Sequence, residues 1–288
     1  RRRCVRRWSA GRELTVDMDT IDVDGATIAV ETVGDGPVAL VLHGGLGVDH
    51  HMQRTLDPLA EHLCLVYLDH RGNGRSTGDV GTATMEQWAA DAAAVARHVS
   101  DEPVIVIGHS YGGFIAQEKL ISQRDAVRAA ILVTTTPGQP GTDEPPVPDG
   151  PPMPDEFAQM LATMPQTDDE YAAFMDRLAP AYVHRIGGAA MRAAMSGTRF
   201  RADAMRRGFE VLGGWSSVDR LDRVDVPVLL VAGRHDAFCA WPQSERIARR
   251  LPDAETVIFD HSGHVPWLDE PGAFLDAVVD WLHRRSLA

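Results

Sequence analysis

The residues best arranged for covalent chemistry are Gly108-His109-Ser110-Tyr111-Gly112-Gly113, set between an apolar run at 104–107 and helical spacing at 113–122. A Gly-x-Ser-x-Gly turn between strand and helix exposes a serine hydroxyl at the end of a central strand. The turn is so tight that the positions two before and two after the serine must lack a Cβ, which Gly108 and Gly112 satisfy. A serine hydroxyl is a weak nucleophile at neutral pH, so it needs a base within hydrogen-bond reach and a third group to hold that base. For this kind of turn the chain order is serine, acid, histidine. Downstream, the apolar run at 226–231 leads through Gly233-Arg234-His235 to Asp236, just past a strand end, whereas 134–136 after the preceding strand are threonines. The next run, 256–259, leads to Asp260-His261-Ser262-Gly263-His264. His264 is the expected base, because Gly263 lets the loop turn its ring back over the sheet edge; His261 is the alternative.

Acyl transfer by such a serine also needs backbone N–H groups that hold the developing oxyanion. One is expected from Tyr111, the residue after the serine. The other is expected from Gly45, within His43-Gly44-Gly45-Leu46-Gly47, which follows a strand-length run at 38–42. His50-His51 has no carboxylate or cysteine at metal-ligand spacing, and no metal is expected.

These residues require a sheet to carry them. Strand-length apolar runs at 38–42, 64–68, 104–107, 130–133, 226–231 and 256–259 are separated by helical spacing at 85–99, 113–122, 241–250 and 273–283. The alternation predicts an α/β fold with a mostly parallel sheet flanked by helices. Segments 14–18 and 27–32, joined through Asp24-Gly25, predict an antiparallel hairpin at its edge. The rhythm breaks after Thr136: eight prolines fall in 137–154, and helices follow at 155–164, 168–184, 189–195 and 202–212. Residues 1–136 and 216–288 are therefore expected to form the core, and 137–215 a helical insertion.

Composition limits the partners. A net charge of −13 over 288 residues disfavours nucleic acid, and no apolar run reaches the roughly 18 residues of a membrane span. The basic run at 1–7 precedes no apolar segment, so it is read as a leader without a role and the chain as cytoplasmic. Cys4, Cys64 and Cys239 are odd in number and widely spaced, which indicates neither a disulfide framework nor a zinc site. A small molecule is the expected partner; the sequence leaves oligomeric state open.

Together, His43-Gly44-Gly45, Asp69-His70-Arg71-Gly72-Asn73-Gly74-Arg75-Ser76, Gly108 to Gly113, Gly233 to Asp236 and Gly263-His264 resemble the α/β-hydrolase superfamily. The most similar members are prolyl iminopeptidases and related esterases. The resemblance implies a helical cap over the site, a Ser-His-Asp triad, and neither metal nor organic cofactor. Leu46 replaces the proline usual in the peptidases, Tyr111 replaces their tryptophan, and the insertion lacks the Trp-Glu pair that would hold a substrate amine. Arg71 and Arg75 are expected to tie strand ends together within a structural loop.

Seven of the ten methionines lie in the insertion, which suits an adaptable apolar pocket; Met160, Met164, Met195 and Trp215 are its expected lining, with Phe157, Phe174 and Phe209 as further candidates. Residues 137–176 carry nine acids and no lysine or arginine, a charge that would draw in an amine. The leading expectation is hydrolysis of a carboxylic ester, lactone or amide of a small, fairly apolar substrate through an acyl-enzyme. The alternatives are a prolyl iminopeptidase-type aminopeptidase, a ligand-binding receptor, or a cofactor-free perhydrolase on the same fold.

Overall fold

Runs of β-branched and leucine side chains that bury both faces build the centre of the sheet. A computed structural model of the chain describes residues 19–123, 126–139 and 150–288. Among the described residues eight strands form one sheet: β1 (Asp19–Val23), β2 (Ala26–Val33), β3 (Val38–Leu42), β4 (Cys64–Leu68), β5 (Val104–His109), β6 (Val127–Val133), β7 (Val228–Gly233) and β8 (Ala254–Phe259). Their order across the sheet is β1-β2-β4-β3-β5-β6-β7-β8. The β1–β2 and β2–β4 pairs are antiparallel; every other pair is parallel. All residues of β4, β5 and β7 are buried, as expected of parallel strands covered by helices on both faces.

The helices are α1 (Met85–Val99), α2 (Tyr111–Ser122), α3 (Asp155–Thr163), α4 (Asp168–Tyr182), α5 (Gly188–Met195), α6 (Ala202–Gly214), α7 (Pro242–Ala248), α8 (Pro266–Asp269) and α9 (Pro271–Arg284). Two apolar cores lie against the sheet: one gathers Leu40, Val106, Trp88 and Ile115, the other Val41, Ile107, Ile131 and Trp281. Alternate residues of the same strands, such as Leu40 and Val41, feed opposite cores, which follows from the two-residue period of a strand. Helices α3 to α6 all fall between β6 and β7.

The edge hairpin differs from its sequence-based expectation. Val23 pairs with Ala26 across Asp24-Gly25, so the first strand is Asp19–Val23 and runs directly into the turn. A two-residue turn leaves no room for an intervening linker, and Gly25 supplies the positive φ of 69° such a turn requires. The expected strand at 14–18, the basic run at 1–7 and most of the proline-rich stretch lie outside the described residues.

The loop at 69–76 is held as a buried polar knot. Arg71 reaches Asp91 of α1 through Nε and Nη2 at 2.8 and 2.7 Å, and Arg75 reaches Asp49 at 2.8 Å. Asp69 accepts the His50 and Arg75 amides and the His50 ring. Burial alone would raise the Asp69 carboxyl, but the hydrogen bond and charge of His50 outweigh it and hold it far below the usual carboxylate range. Two carboxylates, Glu31 within β2 and Asp69 just after β4, clasp His50, contacts that sequence spacing around His50-His51 could not reveal.

Lys119 in α2 is fully buried, and its Nζ has no hydrogen-bond partner among the described residues. Burial, and then the like charge of Arg97, lower its pKa to about 8. Between that value and the unfolded-state value of about 10.4 the unfolded chain binds a proton that the folded chain does not, so stability rises with pH across this window. Lys119→Met is therefore expected to be more stable at pH 7 by on the order of 3 kcal/mol and to lack the parent's gain toward pH 10. Denaturant midpoints of both proteins at the two pH values check this; equal midpoints at pH 7 would contradict it.

Candidate active site

Ser110 sits between the last residue of β5 and the first of α2, with φ 51° and ψ −114°. A non-glycine residue in this region costs on the order of 1–3 kcal/mol and persists only where its surroundings over-determine it. They do so here. The Ser110 amide donates to the Val133 carbonyl at 2.9 Å, and its carbonyl accepts from the Gly113 amide and the Thr135 hydroxyl, both at 2.9 Å. A Cβ on Gly112 would stand 2.0 Å from the Leu42 carbonyl oxygen, and one on Gly108 would stand 2.7 Å from the Gly112 oxygen. Gly112 thus lets the turn pack against β3, and Gly108 lets α2 close back on β5.

Asp236 follows β7 and is completely buried. Its Oδ1 accepts the Phe238 and Cys239 amides at 2.8 and 3.0 Å, while Oδ2 faces His264 Nδ1 at 2.8 Å. A carboxylate at Nδ1 favours the tautomer with the proton on Nδ1, leaving the Nε2 lone pair free to accept. The His264 backbone is anchored as well. Its amide donates to Tyr182 at the end of α4 at 2.7 Å, and its carbonyl accepts from the Thr134 hydroxyl at 2.9 Å and from His109 Nε2 at 3.1 Å. Burial, reinforced by His264, pushes His109 well below the usual imidazole range. His109 is thereby kept neutral, as a structural donor. His261, by contrast, is exposed and directs its amide to Glu270.

The glycine loop after β3 reaches the same place. A Cβ on Gly44 would stand 3.0 Å from the Ser110 Cβ, and Gly45, with φ 73°, lines one cavity together with Ser110, Tyr111 and His264. The Gly45 amide has no acceptor among the described residues. Asn73 of the buried polar knot accepts the Gly47 amide at 2.9 Å, which fixes the loop from behind.

The cavity measures about 250 Å³. Phe114, Phe157, Phe174, Tyr182, Phe209 and Phe238 supply most of its ring surface, and Met153, Met160 and Met175 add thioethers. Among the described residues, no Asp, Glu, Lys or Arg side chain lines it. Of the four expected lining residues only Met160 faces it. Met164 turns instead into a neighbouring hollow that shares Met160 and Phe174 as its wall, because the chain leaves α3 at Met164 with φ 38°. Met195 packs beside the core, and Trp215 is drawn away by the Glu118 carboxylate, to which its Nε1 donates at 2.9 Å.

Several contributors escaped sequence reasoning. Tyr182, Phe238 and Cys239 stand beside the His264 ring or Asp236, and Cys239 lines the same cavity as Ser110. Burial pushes that thiol well above its ordinary value, as does the charge of Asp236. Cys239 is a free thiol; Cys64 is not. Asp269 is a second omission. Buried in α8, it accepts the amides of His184, Arg185 and Ile186 after α4, and that of Gly263 at 2.9 Å. One signal for it was available: an aspartate in the mainly apolar segment Val265-Pro266-Trp267-Leu268 and Asp269, next to the histidine loop.

The chain belongs to the alpha/beta hydrolase family, whose model matches residues 39–277. It is 26% identical over 258 residues to a pimeloyl-[acyl-carrier protein] methyl ester esterase of Klebsiella pneumoniae subsp. pneumoniae, covering 86% of this chain and 95% of the relative. It is also 26% identical over 270 residues to proline iminopeptidase PfmaB of Pestalotiopsis fici, covering 86% and 92%. Among solved structures, an esterase from Exiguobacterium antarcticum superimposes with a TM-score of 0.75 at 20% identity, covering 91% of this chain and 97% of that one. The last likeness is one of fold.

Asp269→Ala removes the acceptor that joins the end of α4 to the histidine loop and leaves four amides unsatisfied. A loss of about 3 kcal/mol in unfolding free energy is expected, together with a steeper loss of activity on warming. Asp269→Asn, which keeps one carbonyl acceptor, should recover part of both. Equal stability of Asp269→Ala and the parent protein in urea would show that the carboxylate does not hold these elements together.

Proposed function

We propose that this hydrolase cleaves a carboxylic ester, or a lactone or amide of similar polarity, through an acyl-enzyme on Ser110. The observation that carries the proposal is the contact of Asp236 with His264 Nδ1 on the wall of the cavity where Ser110 lies. In this mechanism His264 Nε2 takes the serine proton as the hydroxyl attacks the carbonyl carbon, and returns it to the departing group. Asp236 holds the ring and offsets its positive charge, and the Tyr111 and Gly45 amides receive the oxyanion. Water then repeats the sequence to release the acid.

The substrate is proposed to be uncharged and apolar, with ring or branched groups that pack against phenylalanine and methionine. Among the described residues no carboxylate lines the cavity to meet a free amine: Asp155, Glu156, Asp168, Asp169, Glu170 and Asp176 are exposed. The similarity to the Pestalotiopsis fici iminopeptidase therefore carries less weight than that to the Klebsiella esterase. We further propose that residues 137–215 act as a cap, with α3, α4 and α6 closing the cavity over Ser110.

Ser110→Ala should lower kcat on p-nitrophenyl esters by on the order of 10⁴ to 10⁶ without changing the circular dichroism spectrum. On the parent protein, neutral aryl and short acyl esters should be turned over at least about a hundredfold faster than proline or alanine arylamides. Faster release from the arylamides would replace the esterase reading by the aminopeptidase one. Undiminished hydrolysis by Ser110→Ala would dismiss the mechanism itself.

A further inference from the structure

The candidate active site carries one group that hydrolysis does not use, the thiol of Cys239. One ligand atom each from Asp236, Cys239 and His264, all buried, lie within 4.8 Å of one another. Ser110 lines the same cavity as Cys239 and His264. Cys239 and His264 both line the cavity, so an ion that enters it meets sulfur and nitrogen together. The other donors are a carboxylate and a hydroxyl.

This donor set has a definite preference. A tetrahedral zinc ion bound by sulfur, nitrogen and oxygen has donor-to-donor edges of roughly 3.5 Å, so side-chain shifts of about an ångström would bring the three groups into place. Thiolate and imidazole favour thiophilic divalent ions such as zinc, whereas magnesium requires an oxygen shell that these residues cannot supply. Because Asp236 and His264 already touch at 2.8 Å, two of the donors are brought together before any ion arrives.

We propose that Asp236, Cys239 and His264 form an inhibitory site for a thiophilic divalent cation, with zinc as the physiological class and Ser110 as an available fourth donor. Binding at Sγ and at the imidazole nitrogen beside Asp236 replaces the thiol proton, which goes to solvent, and shifts the Nδ1 proton of His264 to Nε2; no electrons are transferred. The ion takes the histidine and aspartate away from Ser110. The loss of activity rests on the function proposed above, whereas the binding site rests on the geometry alone.

Cobalt(II) added to the full chain tests the site without reference to turnover. The expected result is a near-ultraviolet thiolate-to-cobalt charge-transfer band with the visible bands of a tetrahedral ion, abolished by excess zinc and missing in Cys239→Ala. Cys239 is the free cysteine among the described residues, and exposed histidine pairs such as His184 and His235 would give no thiolate band. In parallel, zinc should inhibit ester hydrolysis reversibly, with full recovery on chelation, and magnesium should not. Relative to its own metal-free rate, Cys239→Ser should need at least about tenfold more zinc for half-inhibition. Absence of the thiolate band in the parent protein, or equal zinc sensitivity of the parent and Cys239→Ser, would overturn the proposal. A normal cobalt band in a protein that hydrolyses no ester would leave the site standing and refute the hydrolase mechanism instead.

Discussion

The arrangement depends on one contact, that of a buried carboxylate with an imidazole nitrogen across the ends of β7 and β8. Asp236 has no exposed surface and His264 almost none, so each side chain requires the other and the backbone donors around it. Two amides, of Phe238 and Cys239, hold one carboxylate oxygen and leave the other for the ring. The ring's own backbone is bonded to β6 through Thr134, to β5 through His109 and to α4 through Tyr182. The imidazole is thus tied to three elements before a substrate arrives, which is how a site avoids reorganising during reaction.

The insertion is fastened to these same points rather than laid loosely over them. Tyr182 bonds the His264 amide, the turn after α4 bonds Asp269, the Tyr171 hydroxyl bonds the Leu46 carbonyl, and the Arg201 amide bonds the Gly47 carbonyl. The last two contacts reach the glycine loop, whose far side is held by Asn73. Glycine at 47 is required there, since a Cβ would stand 2.1 Å from the Arg201 oxygen. Apolar helices that line the cavity are consequently bonded to both the His264 loop and the glycine loop after β3. On the mechanism proposed above, a substrate that fits poorly against Phe174 or Phe209 would strain elements that also position His264 and the Gly45 amide, a link between binding and rate that a rigid core with a detached lid would lack.

Much of this was legible in the sequence because it is local. Strands β3 and β4 and helix α1 begin and end where hydrophobic runs and periodicity place them, and Gly108, Ser110 and Gly112 state the turn directly. The preference for His264 over His261 followed from the glycine before it. What could not be read is long-range. Which methionines face the cavity depends on how α3, α4 and α6 rotate against one another, and Trp215 is set by Glu118, 97 positions away. His50 between Glu31 and Asp69, and Asp269 beneath the turn after α4, are likewise pairings made by tertiary structure. The edge hairpin was misplaced for a different reason. The turn residues were recognised, but polar Asp19, Thr20 and Asp22 conceal a strand that has only one apolar face to bury.

The central claim is that Ser110 is made nucleophilic by His264 under the control of Asp236. Reaction with a fluorophosphonate, followed by peptide mass spectrometry and by the rate of labelling, tests it most directly. The adduct is expected on Ser110 alone, at a rate that falls by about two orders of magnitude or more in His264→Ala and by less in Asp236→Asn. An adduct on another residue, or labelling of Ser110 at the parent rate in His264→Ala, would contradict the account.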